Sequence, residues 1–164
     1  MVVTDFRDGD LAPQIDSAAL EARQAEVAPI PWTWLRQVHG SGVVEVRSPG
    51  GRQGETADAA VTNRVGCTLS VTVADCAPVA ILAEGGGLAV VHAGWRGILG
   101  GVIESVMDLL SDVTVGPFRA VIGPCIHACC YAFAVDDLKL IVDRLGDGVG
   151  GKTRTGNPAL DLPA

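Results

Sequence analysis

The sequence lacks several features that would place it at a membrane or on nucleic acid. No apolar run reaches the roughly 18 residues that a membrane-spanning helix needs, and the N-terminal residues carry early acids instead of the apolar stretch of an export signal. Basic residues number only 12 against 19 acidic ones, which leaves a net charge of −7. We therefore expect a cytoplasmic protein that binds neither nucleic acid nor membranes.

Histidine is scarce, and the cysteines lack the spacing of a common metal motif. The chain has three histidines (His39, His92 and His127), and its five cysteines form no Cys-x-x-Cys pair. An odd number of cysteines without an export signal is typical of reduced thiols in the cytosol, and metal binding or catalysis is the special role open to some of them. The neighbouring Cys129 and Cys130 are more typical of small residues at a packed surface than of metal ligands.

The length and the pattern of apolar residues predict the fold class. A chain of 164 residues is long enough for one domain with its own core, and 48% hydrophobic residues exclude a disordered chain. Periodicity and turn residues predict helices over 17–27, 98–110 and 136–145, the last with Asp136 or its neighbour as N-cap, and strands over 31–40, 43–46, 67–74, 78–83, 88–92 and a buried 118–122. Several strands lie too close together for helical crossovers, and the glycine run at 85–87 predicts a hairpin. We expect an α/β (α+β) fold: a single domain, residues 1–164, with a mixed β-sheet flanked by helices.

Three segments place a residue that can bind a metal at the end of a predicted strand. These residues are His39 in RQVHG, Cys76 in ADCAP and His92 in VHAGWRG. Two imidazoles and one thiolate suit zinc and leave a fourth position open, as in catalytic sites. Each residue alone has a plainer interpretation, because a lone histidine is usually hydrogen-bonded for structural reasons and a lone cysteine in a β-rich run usually lies in the core. Asp75 and Arg96 are charged residues close in sequence to Cys76 and His92, beside the apolar strand segments that carry these two candidates.

Four strings occur in a fixed order between residues 34 and 131: RQVHG, TVADCAPV, VVHAGWRG and VIGPCI-x-x-CCY, with Ala-Asp-Ala at 57–59 between the first two. Together they resemble the laccase-domain family, also called the polyphenol oxidase or peptidoglycan editing factor family. The resemblance implies an α/β domain and a zinc ion bound by His39, Cys76 and His92. It also implies a purine nucleoside phosphorylase that acts on purine nucleosides and phosphate, with adenosine deaminase and methylthioadenosine phosphorylase activity. We expect a monomer or a homodimer.

Four further residues within these motifs are candidates for substrate binding or catalysis. Arg96 is the candidate for the phosphate, because a guanidinium group matches phosphate oxygens bidentately. Asp75 could orient a histidine ligand or carry a proton, and Gln37 could hydrogen-bond the substrate. Cys125, in the GPCI string, is a candidate for substrate binding, although a small buried residue is its plainer interpretation.

Other functions stay open at this stage. A copper-dependent polyphenol oxidase (laccase) would use the same three ligands, and copper outranks zinc in affinity, but a blue-copper centre usually adds a methionine. Met1 and Met107 both lie outside the ligand motifs, and three histidines are too few for a trinuclear copper cluster. Where the family has a Tyr-Glu pair this sequence has Tyr131-Ala132, and from the resemblance we expect the chain to be shortened at both ends, without the family's C-terminal segment. These departures favour a non-catalytic, truncated family member, and the family's name also implies a peptidoglycan-precursor editing enzyme.

Overall fold

The computed structural model describes residues 1–9, 11 and 17–164. The helices are α1 (Ser17–Val27), α2 (Trp95–Leu99), α3 (Val102–Val113) and α4 (Val135–Leu145). The strands are β1 (Trp32–Thr33), β2 (Val43–Glu45), β3 (Ala59–Thr62), β4 (Thr68–Leu69), β5 (Ala77–Ala83), β6 (Leu88–Ala93), β7 (Phe118–Ile122), β8 (Gly150–Lys152) and β9 (Pro158–Leu160). None of the helices that the structure describes has the length and apolarity that crossing a membrane requires.

A five-stranded sheet in the order β2-β3-β6-β5-β7 forms the centre of the fold. In it β2 and β3 run parallel, whereas the other neighbours run antiparallel. The predicted hairpin joins β5 to β6, and Gly86 at its turn has a positive φ of 91°, which a residue without a Cβ adopts easily. Two small sheets, β1-β4 and β8-β9, stand beside the large one. The predicted mixed sheet flanked by helices is confirmed.

The main core lies between this sheet and α3. Val102, Val106 and Leu110 recur every four residues along α3, so they share one face of the helix, and all three are fully buried. They pack with strand residues such as Val61 and Val91. Burying each of these side chains contributes about 1.5–3 kcal/mol, and the resulting rigid sheet holds the strand ends in place.

A smaller apolar cluster joins α4 to the C-terminal strands. Ile141, Val149 and Leu160 are buried in it, and Tyr131 and Phe133 pack against them. The loop between β7 and α4 is therefore fixed against the domain at Tyr131. The helix predicted over 136–145 is confirmed as α4.

Several boundaries differ from the predictions. The helix predicted over 98–110 is two helices, because Gly100 and Gly101 interrupt it and Gly101 takes a left-handed φ of 83°. The strand over 118–122 is confirmed, but its predicted burial is wrong: β7 is an edge strand with residues 119–122 exposed. Asp136 lies in the first turn of α4, and Ala134 is the N-cap.

The strands predicted over 31–40 and 67–74 are each only two residues long, as β1 and β4. Beyond β4 the chain bonds to other partners: the backbone N–H of Ser70 donates to the Thr33 carbonyl, and that of Thr72 donates to the Gln37 side chain. Strand β3 was not predicted, although it lies inside the sheet between β2 and β6.

Candidate active site

Cys76 and His92 are brought together by neighbouring strands. Cys76 directly precedes β5, and His92 is the penultimate residue of β6. The two strands are antiparallel, with Ala77 opposite Ala93 and Pro78 opposite His92. The start of β5 and the end of β6 therefore meet at one edge of the sheet, which places the thiol close to the imidazole.

Asp58 fixes the orientation of His92. Its Oδ1 lies 2.8 Å from His92 Nδ1, and its side chain is fully buried. The pairing follows from the sheet, because β3 begins directly after Asp58 and runs antiparallel to β6. Since a carboxylate accepts hydrogen bonds, Nδ1 carries the proton and the lone pair of Nε2 is left for a metal.

The same carboxylate positions His39. It accepts hydrogen bonds from the backbone N–H groups of Val38, His39 and Gly40, at 2.8 Å from the last two. His39 has a positive φ of 57°, an uncommon conformation for a residue other than glycine. We attribute its persistence to these three backbone bonds, which hold the strained residue at the site.

The three predicted ligands converge. The ligand atoms of His39, Cys76 and His92 all lie within 4.8 Å of one another, and the two imidazole rings are 4.7 Å apart at their centres. Gly94 makes room for them, because a Cβ there would lie 3.0 Å from Cys76 Sγ and 3.1 Å from His39 Cδ2. Two nitrogen donors, one sulfur donor and the proton fixed on His92 Nδ1 fit a zinc-type site.

Charge and burial shape the ionisation of this group. Burial opposes ionisation of Asp58, but the hydrogen bonds from His92 and from the backbone outweigh it and lower the pKa of Asp58. Burial raises the pKa of the Cys76 thiol, and the negative charges of Asp75 and Asp58 raise it further. A divalent cation reverses this balance, because a coordinating thiol loses its proton.

The ligands open onto a cleft of about 690 Å³. Its walls include Trp34, Gln37, Asp75 and Tyr131. The volume falls in the range of about 300–1,000 Å³ that is usual for small-molecule sites. The three candidate ligands therefore stand in the wall of a space large enough for a small organic molecule.

Of the other predicted site residues, Asp75 and Gln37 line the cleft, whereas Cys125 lies elsewhere. Asp75 lines the cleft and is exposed, but the carboxylate that hydrogen-bonds His92 is Asp58. The Gln37 amide donates to the Thr72 carbonyl at 2.7 Å and accepts from the Thr72 N–H at 2.8 Å, so it joins two loops of the wall. Cys125 packs against the main core and is not among the cleft-lining residues that the structure describes.

Arg96 is not among the cleft-lining residues that the structure describes; it stands at the end of a row of aromatic rings that reaches the cleft at Tyr131. Its guanidinium stacks 4.2 Å from the centre of the Trp95 ring, Trp95 meets Phe133 edge-on, and Phe133 meets Tyr131 in the same way. Burial raises the pKa of Tyr131, as do the charges of Cys76 and Asp75, whereas the charge of Arg96 lowers it. The positive charge of Arg96 therefore acts on Tyr131, a residue of the cleft wall.

Sequence reasoning missed Asp58 and Tyr131 as parts of the site. A signal for Asp58 was available: it is a single acid within the apolar run Ala-Asp-Ala-Ala-Val, and a charged residue in such a run is seldom buried without a partner. For Tyr131 the signal was only its place in the motif beside Cys130.

These features define an α/β domain with a His-Cys-His group that could hold a metal ion in the wall of a large cleft. The family model described as multi-copper polyphenol oxidoreductase laccase matches residues 5–164, and the chain belongs to that family.

Relatives with names and structures agree with this assignment. The chain is 34% identical over 150 residues to a purine nucleoside phosphorylase of Streptomyces coelicolor, covering 88% of this chain and 61% of the relative. It is also 34% identical over 116 residues to an adenosine deaminase from an unknown prokaryotic organism, covering 67% of this chain and 44% of the relative. A crystal structure of a Neisseria meningitidis protein shares the fold, with a TM-score of 0.80 at 24% identity over 94% of this chain and 66% of that one.

Proposed function

We propose that this chain carries the metal site and the substrate cleft of a zinc-dependent purine nucleoside phosphorylase. The observation that carries the proposal is the convergence of His39, Cys76 and His92 in the wall of the 690 Å³ cleft. The name of the Streptomyces coelicolor relative supports the substrate class. The chain spans 61% of that relative's length, so the activity of the whole relative comes to this chain only as part of the proposal.

Zinc is the metal proposed because the donor set suits it. Two imidazoles and one thiolate leave one coordination position open, and His92 presents Nε2 with its proton held on the other nitrogen. A bound zinc ion supplies Lewis acidity, which stabilises negative charge as it develops during the reaction.

The residues around the ligands have separate roles in the proposal. Phosphorolysis replaces the base at C1′ of the ribose by phosphate, so phosphate and nucleoside must be held together. Arg96, whose positive charge acts on the cleft-lining Tyr131, is the proposed partner of the phosphate. Asp75, exposed in the cleft, is the group that exchanges a proton with the purine as it leaves. Tyr131 and Trp34 provide aromatic walls for the base.

Adenosine deamination is the second candidate, because one relative bears that name and matches 67% of this chain. Copper-dependent phenol oxidation has less support. Met107 is a residue of α3 that packs against the main core, and the group found among the described residues that could hold a metal is His39, Cys76 and His92. That group lacks the methionine that usually completes a blue-copper centre.

The test combines metal content with turnover. The chain is purified without added metal, zinc and copper are measured by elemental mass spectrometry, and adenosine and inosine are incubated with and without phosphate. We expect about one zinc ion per chain and release of the purine base that depends on phosphate. The variant His39→Ala should lose both zinc and turnover, while His127→Ala, at an exposed histidine outside the metal group, should keep them.

Other results would replace the proposal with a specific alternative. Ammonia release without phosphate would assign adenosine deamination. Zinc without turnover on either nucleoside would indicate a binding module that retains its metal. Copper together with phenol oxidation would assign the laccase reaction, and turnover of a peptidoglycan precursor alone would assign the editing reaction.

A further inference from the structure

Cys129 and Cys130 hold their sulfur atoms unusually close together. The two Sγ atoms are 2.7 Å apart, against about 2.05 Å in a disulfide bond. The Cys130 residue is exposed and Cys129 is partly buried. Both lie outside the metal group, which is formed by His39, Cys76 and His92. The pair is therefore a group of thiols that the proposed function does not use.

Hydrogen bonds hold the backbone around the pair. The N–H of Cys130 donates to the His127 carbonyl at 3.0 Å, and the N–H of Arg154 donates to the Cys129 carbonyl at 3.0 Å. On the following residue, the Tyr131 carbonyl accepts from the Leu160 N–H. With the backbone fixed on both sides, rotation of the side chains decides the distance between the sulfurs.

A bond between adjacent cysteines is readily reversed. Neighbouring Cα atoms are about 3.8 Å apart across a trans peptide, whereas a relaxed disulfide separates them by about 4.4–6.8 Å. The ring that closes is strained, and strained or exposed disulfides are the ones that are easily reduced. Such a bond responds to redox conditions instead of stabilising the fold permanently.

We propose that Cys129 and Cys130 form a redox-modification site, at which a disulfide oxidant of the glutathione type converts the two thiols into one disulfide. The exposed Cys130 thiolate attacks the oxidant, which forms a mixed disulfide and releases one glutathione thiolate. The Cys129 thiolate then attacks the Cys130 sulfur, closes the ring and releases the second glutathione thiolate. The protein dithiol loses two electrons and two protons, and one glutathione disulfide becomes two thiols.

The test is a redox titration read by peptide mass. The full chain is equilibrated in glutathione buffers of increasing oxidised fraction, free thiols are alkylated, and the protein is digested with trypsin. Cleavage after Arg119 and Lys139 yields one peptide, residues 120–139, that contains Cys125, Cys129 and Cys130. Within the glutathione range we expect this peptide to carry one alkyl group instead of three and to weigh two hydrogen atoms less than the singly alkylated dithiol, and after dithiothreitol to carry three alkyl groups. Cleavage between Cys125 and Cys129 in the spectrum of the oxidised peptide would place the bond in the adjacent pair.

Single variants separate the proposed pair from Cys125. Cys129→Ser and Cys130→Ser should each abolish the loss of two hydrogen atoms, while Cys125→Ser, the matched control, should retain it. Circular dichroism verifies that each variant is folded. The proposal is overturned if the loss persists in Cys129→Ser or Cys130→Ser, if the wild-type peptide accumulates only glutathione adducts, or if its thiols stay reduced in the most oxidising buffer.

Discussion

Asp58 and His92 are joined by two hydrogen bonds across the strand pair β3-β6. The Asp58 carboxylate lies 2.8 Å from His92 Nδ1, and the Asp58 carbonyl accepts the His92 backbone N–H at 2.8 Å. The carboxylate also accepts the N–H groups of the loop that carries His39. One buried acid thus positions two of the three candidate ligands, the first through its ring and the second through its backbone.

The variant Asp58→Asn is expected to weaken zinc binding by about 10- to 100-fold, the usual effect of removing a hydrogen-bond partner of a ligating histidine. Asparagine can keep one oxygen for His92 Nδ1 and the His39 N–H, which both bond to Oδ1, but its NH2 group cannot accept the Gly40 N–H that Oδ2 accepts, and the negative charge beside the histidine is lost. Competition with a chromophoric chelator measures the zinc affinity, and circular dichroism verifies the fold. The matched variant is Asp75→Asn, which removes an exposed carboxylate of the same cleft. An equal loss of zinc affinity in both variants would mean that Asp75 also orients a histidine ligand.

Gly94→Ala is expected to reduce zinc affinity by about tenfold while the apo protein stays folded, because the added Cβ alters the packing around the ligands. That Cβ would lie 3.0 Å from Cys76 Sγ and 3.1 Å from His39 Cδ2. The backbone itself tolerates alanine, since Gly94 has φ −82° and ψ 155°. Gly148→Ala is the control, because a Cβ there meets nothing within 4 Å. Unchanged zinc affinity in Gly94→Ala would mean that the ligands do not need this open space.

Cys76 and His92 could be predicted from the sequence because each stands at a strand end in a motif, whereas His39 lies in the loop between β1 and β2 and was found by its motif. The positioning residue was missed, because Asp58 reaches His92 through the pairing of β3 with β6, and β3 itself escaped prediction. Its residues Ala-Ala-Val-Thr include two alanines, which are depleted in strands, and all four residues are buried. The break at Gly100–Gly101 was hidden for a different reason, since apolar residues continue at helical spacing across it.

Gln37→Glu is expected to lower the free energy of unfolding by about 1 kcal/mol, the net value of a typical hydrogen bond. The glutamate keeps the acceptor for the Thr72 N–H but loses the donor to the Thr72 carbonyl, which lies 2.7 Å from Gln37 Nε2. Urea unfolding of the apo protein gives the change. Gln53→Glu, at an exposed position in the 51–54 turn, provides the same change of charge without this pair of bonds. Unchanged stability together with a higher KM for the nucleoside would instead give Gln37 a direct contact with substrate.

Arg96→Ala is expected to lower kcat/KM for phosphorolysis by about 10- to 100-fold, because hydrogen bonds to a charged group contribute about 1.5–3 kcal/mol. Deamination of adenosine uses no phosphate, so its rate should change little. Product chromatography of the same samples with inosine and phosphate, and with adenosine alone, compares the two reactions. Arg119→Ala is the control, since Arg119 is exposed on the edge strand β7, where it pairs with Glu84. Equal losses in both reactions would mean that Arg96 supports the aromatic wall through its stacking on Trp95, and the phosphate would need another partner.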